Sequence, residues 1–485
     1  MNFTTPEYYY LFIPVALFAC FLIFYNSRNK QISSLLLLSY VFFYLASGFY
    51  IILLFISTLV DFYCGKSIEK ASNKVQKKKL LLFSIITNLS ILGVFKYFNF
   101  FIGNYNGLIH LYPILPEIAK INVLLPIGIS FYTFQTMSYT IDIYREKVKS
   151  QESIIDFACY AAFFPQLVAG PIVRYSHFNP QITEKLVFKE NNLKIGLTFI
   201  IYGLFKKFVI ADNIAIQVNN LFTAEQDLTN FWLVWCGALF FGIQIYADFS
   251  AYTDIAIGSA KLFGIDLPEN FKHPYFAHNP QEFWRKWHIS LSTWLRDYLY
   301  FPLGGSKGGM NVLVKATMIT MILGGLWHGA SWNFIIWGLM HGIAILTHKI
   351  MRDNGFVKKL KDNFPASFSF SSLVLTQLFI FWTWLIFRLQ DDNMLKVALK
   401  TSLGYNANFD WDVFNSSFSG PMYFHLFILV PSFLIMHYIS YRYSGLKNVI
   451  TTLSTPKWAL ITGIMLSLAI LLKPVDTSDF IYFRF

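Results

Sequence analysis

Charge is scarce in this chain. Charged residues make up 14% of its 485 residues, against about 25% in soluble domains. That shortage excludes a disordered chain and argues against a soluble globular enzyme. Cysteine is scarcer still. The four, Cys20, Cys64, Cys159 and Cys236, lie within or beside apolar stretches, and no two share a metal-ligand spacing. A secreted disulfide scaffold is excluded. The four read as small buried residues, with Cys64, near an expected cytoplasmic membrane edge, open to lipidation. Internal repeats, low-complexity tracts and domain-dividing linkers are absent from the sequence. No cleaved signal peptide is expected either. Arg28 and Lys30 follow the first apolar run instead of preceding it.

Apolar residues are what the chain has in excess. They form 55% of it with glycine left out, and 52 residues are phenylalanine. The mean hydropathy is +0.47. An apolar helix of about 20 residues crosses a bilayer, and backbone groups in lipid must be satisfied internally. The composition therefore predicts an all-α polytopic membrane protein. The net charge of +12 could suggest nucleic acid. The lysines and arginines instead cluster in short loops between apolar runs, as the positive-inside rule requires. Membrane lipid is the expected surrounding and nucleic acid is not a partner. The same rule places the N-terminus outside and the loop at 26–31 inside the cytoplasmic (inner) membrane.

Spans are expected near 8–25, 80–100, 122–141, 192–210, 229–248, 311–327, 332–350, 371–389, 422–441 and 457–472. The stretch 32–63 is too long for one helix and should break near Ser47-Gly48, going out and returning to the basic run Lys66–Lys79. The total is about 10–13 transmembrane helices, with re-entrant or interfacial helices besides. Phe157–Tyr175 is apolar but carries Pro165, Gly170 and Pro171. It reads as re-entrant or partly buried, allowed only where protein or a water-filled cavity satisfies its backbone. Region 265–310 is too polar to span and rich in tryptophan and tyrosine. A single integral-membrane domain is expected over 1–485.

Several segments carry candidate chemistry. Asn279, Pro280 and Glu282 make a helix start. On a continuous helix, Gln281, Arg285, His288, Ser292 and Arg296 fall within about 80° of one another. Phe283, Trp284, Trp287, Leu291, Trp294 and Tyr298 form the apolar side. The polar stripe is either a solvated interfacial face or a cavity wall. His328 lies mid-way along the apolar stretch Met318–Gly342, among Gly324, Gly325 and Gly329. An intramembrane ionisable residue is a functional candidate, and a neutral imidazole can act as a general base. The glycines permit a helix break or close approach of a ligand. His341, His348 and His437 read as structural. Asp248 and Asp254, in Gln244–Gly258, stand about 120° apart on a helix, so they are not a facing pair. They form either a proton relay or, by preference, a polar network pinning helices around a cavity. The turn Gly304–Gly309 fails the phosphate-loop pattern, though Lys307 and its glycines could cradle an anion. At the chain's end, Tyr482 offers a phenol. With a pKa near 10 against about 8.5 for a thiol, it is a fair acyl acceptor from a thioester. The resulting phenyl ester is reactive enough to pass the acyl group on.

These segments together resemble the membrane-bound O-acyltransferase (MBOAT) family, in its alginate O-acetyltransferase (AlgI-type) branch. The matching stretches are Leu125–Arg145, Phe164–Val173, Gln244–Gly258, Phe283–Pro302, Gly324–Trp332 and Phe480–Phe485. The resemblance implies a multi-helix fold around a transmembrane tunnel. Acyl-CoA would approach from the cytoplasm, with an acceptor on the other side. His328 matches the essential histidine of the W-H-G motif, and His288 the second histidine, in W-x-x-W-H-x-S. The tail 480–485 resembles an F-x-Y-F-x-F motif with an acyl-carrying tyrosine, here Tyr482. Arg285, Ser292, Trp327, Asp248 and Gln244 become candidate tunnel or substrate residues, and Lys307 a weak donor contact.

The expected activity is transfer of acetyl from acetyl-CoA for O-acetylation of a cell-envelope glycan, exopolysaccharide or peptidoglycan. His328 would be the general base, with His288 orienting. Transfer is either direct or through Tyr482. No cofactor is bound permanently, and no metal-ligand cluster is evident. An extracytoplasmic serine-dependent (SGNH-type) glycan O-acetyltransferase is the expected partner. The rival readings are a proton-coupled transporter or flippase using Asp248, Asp254 and the histidines, and a non-catalytic scaffold.

Overall fold

The computed structural model describes residues 1–111, 116–121, 124–223, 228–417, 423–443, 445–475 and 479–481. These form helices, with no β-sheet among the described residues. The protein is an all-α, multi-pass membrane protein. Six helical stretches among the described residues are long and apolar enough to cross a bilayer: Arg28–Lys70, Lys74–His110, Phe231–Leu262, Gly309–His328, Trp332–Asp353 and Pro365–Arg388. A seventh is counted if the bent pair His425–Arg442 and Leu446–Thr452 is one span. The sequence predicts more because it counts shorter helices. Tyr8–Ile23 and Thr455–Leu471 are apolar but short, and Ile129–Tyr144 and Glu190–Phe205 have 16 residues each. The stretch Arg28–Lys70 contains the expected break. Gly48 ends one helix at φ +59°, and Gly48–Tyr50 forms a tight turn before Ile51–Lys70. A positive φ is where glycine costs least.

The chain packs as two compact units, Met1–Ile200 with Ile255–Pro268, and Ile201–Asp254 with Glu269–Phe485. In the first unit, Asp61 is fully buried and accepts from Ser84 Oγ at 2.6 Å and Asn88 Nδ2 at 2.9 Å. Ser57 donates to Asn88 at 2.7 Å and meets Thr136 at 3.1 Å. This network pins Ile51–Lys70, Lys74–Leu92 and Ile129–Tyr144 together. Phe157–Tyr175 is broken and buried, as its prolines and glycine predict. Its backbone is satisfied by protein: Gln135 and Gln166 each donate to the Tyr160 carbonyl at 2.7 Å, and Phe164 N–H donates to Ser39 Oγ at 3.1 Å. All four cysteines are buried and unbridged. Burial of Cys64 leaves no surface for a lipid chain.

The second unit holds every candidate site residue named above. Phe231–Leu262, whose residues up to Asp254 belong to it, is 89% buried over its apolar window, whereas Lys74–His110 in the first unit is only 17% buried. Such an enclosed helix can carry charge at lower cost than a lipid-facing one. Gly309–His328 and Trp332–Asp353 form an antiparallel pair in very close contact. A methyl group on Gly325 would strike the Phe334 carbonyl oxygen, and one on Gly338 the Met321 carbonyl oxygen. Small residues at helix interfaces in membranes permit this approach.

Gly338→Leu should therefore destabilise the pair by roughly 1–3 kcal/mol, because a backbone oxygen cannot move aside as a side chain can. Gly463→Ala, inside a helix where a methyl group meets nothing, should leave stability unchanged or raise it by up to about 1 kcal/mol. Thermal unfolding of detergent-purified variants compares the two.

Candidate active site

Helix Gly309–His328 ends at His328, and the chain turns through 329–331 into Trp332–Asp353. Leu313, Thr317, Thr320, Met321, Gly324 and His328 line one wall of a cavity of about 500 Å³. Their spacing is that of a single helix face, about 22 Å long at 1.5 Å per residue. Arg285, Ser292 and Arg296 supply a second wall, and Lys349 and Arg352 a third. Lys349 and Arg352 stand near the end of the returning helix, hence opposite the start of Gly309–His328. His328 and these two cations thus stand toward opposite ends of the cavity. The lining contains four basic side chains and, among the described residues, no carboxylate; just outside it Asp353 pairs with Lys349 at 2.6 Å and Arg352 at 3.3 Å, and Asp297 with Arg296 at 2.8 Å. Arg352 also donates to Gln281 Oε1 at 3.2 Å.

His328 is 3% exposed. Its ring lies 5.1 Å from Trp327, 5.3 Å from Trp337 and 5.4 Å from Phe387, centroid to centroid. Trp327 also meets the His288 ring at 5.8 Å, and Phe249 meets His288 edge-on at 4.7 Å. One indole therefore touches both histidines. Of the glycines around His328, Gly324 lines the cavity, Gly325 admits the neighbouring helix and Gly329 faces the Phe334 ring. Two of the three make room for protein and not for a ligand.

The expected polar stripe needs one correction. Pro280–Lys286 starts as predicted, with Asn279 capping the Glu282 N–H at 2.9 Å. The helix then stops, and a second begins at Ile289. Between them His288 adopts φ +42°, ψ 56°, a left-handed conformation that costs a non-glycine residue roughly 1–2 kcal/mol. Gln281, Arg285, Ser292 and Arg296 line the cavity, but His288 does not. The kink turns its ring into the aromatic wall, fully buried. Asn270 holds the kink. Its carbonyl accepts Ile289 N–H at 2.9 Å, and its Oδ1 accepts Ser290 N–H at 3.1 Å. Burial pushes the His288 imidazole down from 6.5 to about 3, so it stays neutral at working pH.

Asp248 and Asp254 face buried lysines. Lys206 and Lys207 are consecutive, and both lie within the π-helical turn Lys206–Ala211. Lys207 pairs with Asp248 at 2.7 Å and Asp212 at 2.9 Å. Lys206 pairs with Asp254 at 2.6 Å, and Lys447 joins Asp254 at 2.7 Å and Glu269 at 3.1 Å. This is a pinning network, the arrangement preferred from sequence. Sequence reasoning passed over Lys206, Lys207 and Asn270. The signal for the first two was present, since two charges inside an apolar span need partners.

The remaining candidates fall elsewhere. Trp327, Asp248 and Gln244 do not line the cavity. Gln244 is buried, and its Oε1 has no hydrogen-bond partner among the described residues. Lys307 is exposed on its glycine-rich turn, while the adjacent Ser306 lines the cavity. His341 takes a structural place, accepting from Trp284 Nε1 at 3.3 Å and meeting Thr383 Oγ1 at 3.2 Å. His437 stacks on Phe276 at 5.2 Å. Tyr482 lies outside the described residues.

The sequence profile of MBOAT, the membrane-bound O-acyltransferase family, matches residues 49–390. The chain belongs to this family. The match includes His288, His328 and the whole cavity lining, and the protein is a membrane-bound O-acyltransferase. A probable alginate O-acetylase AlgI of Pseudomonas syringae pv. tomato is 38% identical over 80% of this chain and 72% of its own length. A peptidoglycan O-acetyltransferase of Helicobacter pylori is 35% identical over 84% of this chain and 80% of its own. A teichoic acid D-alanyltransferase of Streptococcus thermophilus is 30% identical over 45% of this chain and 56% of its own.

Two predictions follow from the acyltransferase's buried groups. Lys207→Met strands two carboxylates and should cost roughly 3–5 kcal/mol, whereas Lys261→Met, which breaks a surface pair with Asp266, should cost at most about 1 kcal/mol. Folded protein recovered after solubilisation reads the difference. A neutral His288 contributes no limb to an activity–pH profile between about pH 5 and 8. His288→Gln should lower the plateau and leave the limbs where they are; a displaced limb contradicts the assignment.

Proposed function

We propose that this acyltransferase takes acetyl from cytoplasmic acetyl-CoA and passes it across the cytoplasmic (inner) membrane for O-acetylation of a cell-envelope glycan. The observation that carries this reading is the cavity, with His328 at one end, cations at the other and no carboxylate in its described lining. The phosphates of CoA suit the arginines and Lys349, since guanidinium groups bind phosphate oxygens in pairs. The thioester then lies toward His328.

His328 acts as general base. Its neutral ring takes the proton of an acceptor hydroxyl, whose oxygen attacks the thioester carbonyl. The C–S bond breaks as the tetrahedral intermediate collapses, and the imidazolium returns its proton to the CoA thiolate. His288 is neutral and packed against Trp327, so it orients the site and does not abstract the proton. The favoured first acceptor is the Tyr482 phenol. Its ester passes acetyl to an extracytoplasmic, serine-dependent SGNH-type transferase, which delivers it to glycan hydroxyls. Exopolysaccharide and peptidoglycan both offer such hydroxyls. The curated names of the relatives, alginate and peptidoglycan acetylases, support a glycan as final acceptor.

The test compares base-released acetate in purified wall and exopolysaccharide fractions from wild-type and His328→Ala cells of equal protein abundance. Ester acetate should fall about a hundredfold or more in one fraction, which names the acceptor. Arg352→Gln should raise KM for acetyl-CoA with little change in kcat. Unchanged acetate in both fractions overturns the reading and favours transport or scaffolding.

A further inference from the structure

The Asp248–Lys207–Asp212 cluster does more than pin helices. Asp248 uses one oxygen, Oδ1, for Lys207. Its other oxygen, Oδ2, accepts the main-chain N–H of Ile481 at 2.7 Å. The preceding residue, Phe480, lays its ring on the Lys207 ammonium at 4.6 Å and meets Tyr252 edge-on at 4.9 Å. Phe480 is 1% exposed and Ile481 7%, while Asp479 is exposed. Three different contacts, a charge-assisted hydrogen bond, a cation–π contact and an aromatic edge, thus converge on two residues of the chain's last stretch. A hydrogen bond from a main-chain amide reads the path of the backbone and not a side chain. The seat also adjoins the candidate active site through sequence. Phe249, which packs on His288, directly follows Asp248.

We infer that this cluster is a built seat for the C-terminal segment, with Asp248 as a positioning residue for acyl carriage. The positioning role rests on the reading that Tyr482 carries the acetyl group. Tyr482 follows Ile481 by one peptide bond. Anchoring the main chain there shortens the carrier's tether to a single peptide unit, which raises its effective concentration at the reacting centre. Lys207 serves two purposes at once: it neutralises Asp248 and offers its face to Phe480.

The test uses the full-length protein in proteoliposomes, with radiolabelled acetyl-CoA as the probe. Ile481→Pro removes the donated N–H, and Phe480→Ala removes the ring; neither touches the buried ion pairs. Seating is read by the rate at which a polar maleimide labels Tyr252→Cys, a position 1% exposed beneath the Phe480 ring, in a chain whose native cysteines are buried. Carriage is read by the rate of base-labile label appearing on the chain. Ile481→Pro and Phe480→Ala should each speed maleimide labelling about tenfold. They should slow self-acetylation by a similar factor, with KM for acetyl-CoA unchanged. Tyr482→Phe should abolish self-acetylation and leave maleimide labelling at the wild-type rate.

Unchanged maleimide labelling in both seat variants overturns the seat. Faster labelling with wild-type self-acetylation overturns the positioning role and leaves the carrier reading standing. Self-acetylation that survives Tyr482→Phe overturns the carrier reading, and the positioning role with it, while maleimide labelling alone then decides whether the seat exists.

Discussion

A buried charge must be paired, and in the second unit that requirement sets the arrangement of its helices. Desolvating a carboxylate or an ammonium costs several kcal/mol even after relaxation. Helix Phe231–Leu262 buries two carboxylates six residues apart, and two consecutive lysines answer them. The wider π turn at Lys206–Ala211 lets neighbouring side chains both point inward, one to each carboxylate. π turns recur where function overrides regular geometry. Lys447 closes the network from a third helix. Once these pairs form, Phe231–Leu262 cannot rotate about its axis without breaking them, so Phe249 is held against His288.

The second constraint is the left-handed residue at His288. A continuous helix would have put this ring into the cavity beside Arg285 and Ser292. The kink moves it into the wall, between Phe249 and Trp327. Strain of this kind persists only where surrounding contacts over-determine it, and Asn270 supplies them with both its carbonyl and its side chain. Asn270 Nδ2 in turn donates to Thr253 Oγ1 at 3.4 Å, which links the kink to the helix that carries the charge network. The environment of His328 therefore depends on a residue that never touches the cavity. Asn270 holds His288, His288 packs on Trp327, and Trp327 packs on His328.

Features set by local physics were legible in the sequence. The break at Gly48, the capped start at Asn279 and the broken segment Phe157–Tyr175 each follow from residue types with a known backbone cost. His328 stood out as a candidate because a histidine deep in an apolar run needs a reason to be there, and the structure puts it in the cavity lining. The kink at His288 was not, because periodicity assumes that a helix continues and histidine carries no signal for a positive φ. Asn270 was equally hidden, since its role exists only once distant segments meet. Lys206 and Lys207 could have been found by asking which charges neutralise Asp248 and Asp254.

The same network bears on the choice between chemistry and transport. A proton relay needs carboxylates that can take up and release protons at modest cost. Each oxygen of Asp254 is held by a lysine, Oδ2 by Lys206 and Oδ1 by Lys447. Each oxygen of Asp248 is likewise engaged, one by Lys207 and the other by the Ile481 N–H. Neutralising Asp254 would break its pairs with both Lys206 and Lys447 and leave the buried Lys206 ammonium short of a counter-charge, a change worth several kcal/mol. That cost suits groups whose task is to hold helices and a chain terminus still. The proposed proton transfer is placed instead at His328, which lines the cavity. The division of labour is physical: the carboxylates commit their charge to position, and the proposed base, His328, stands apart from them in the cavity lining.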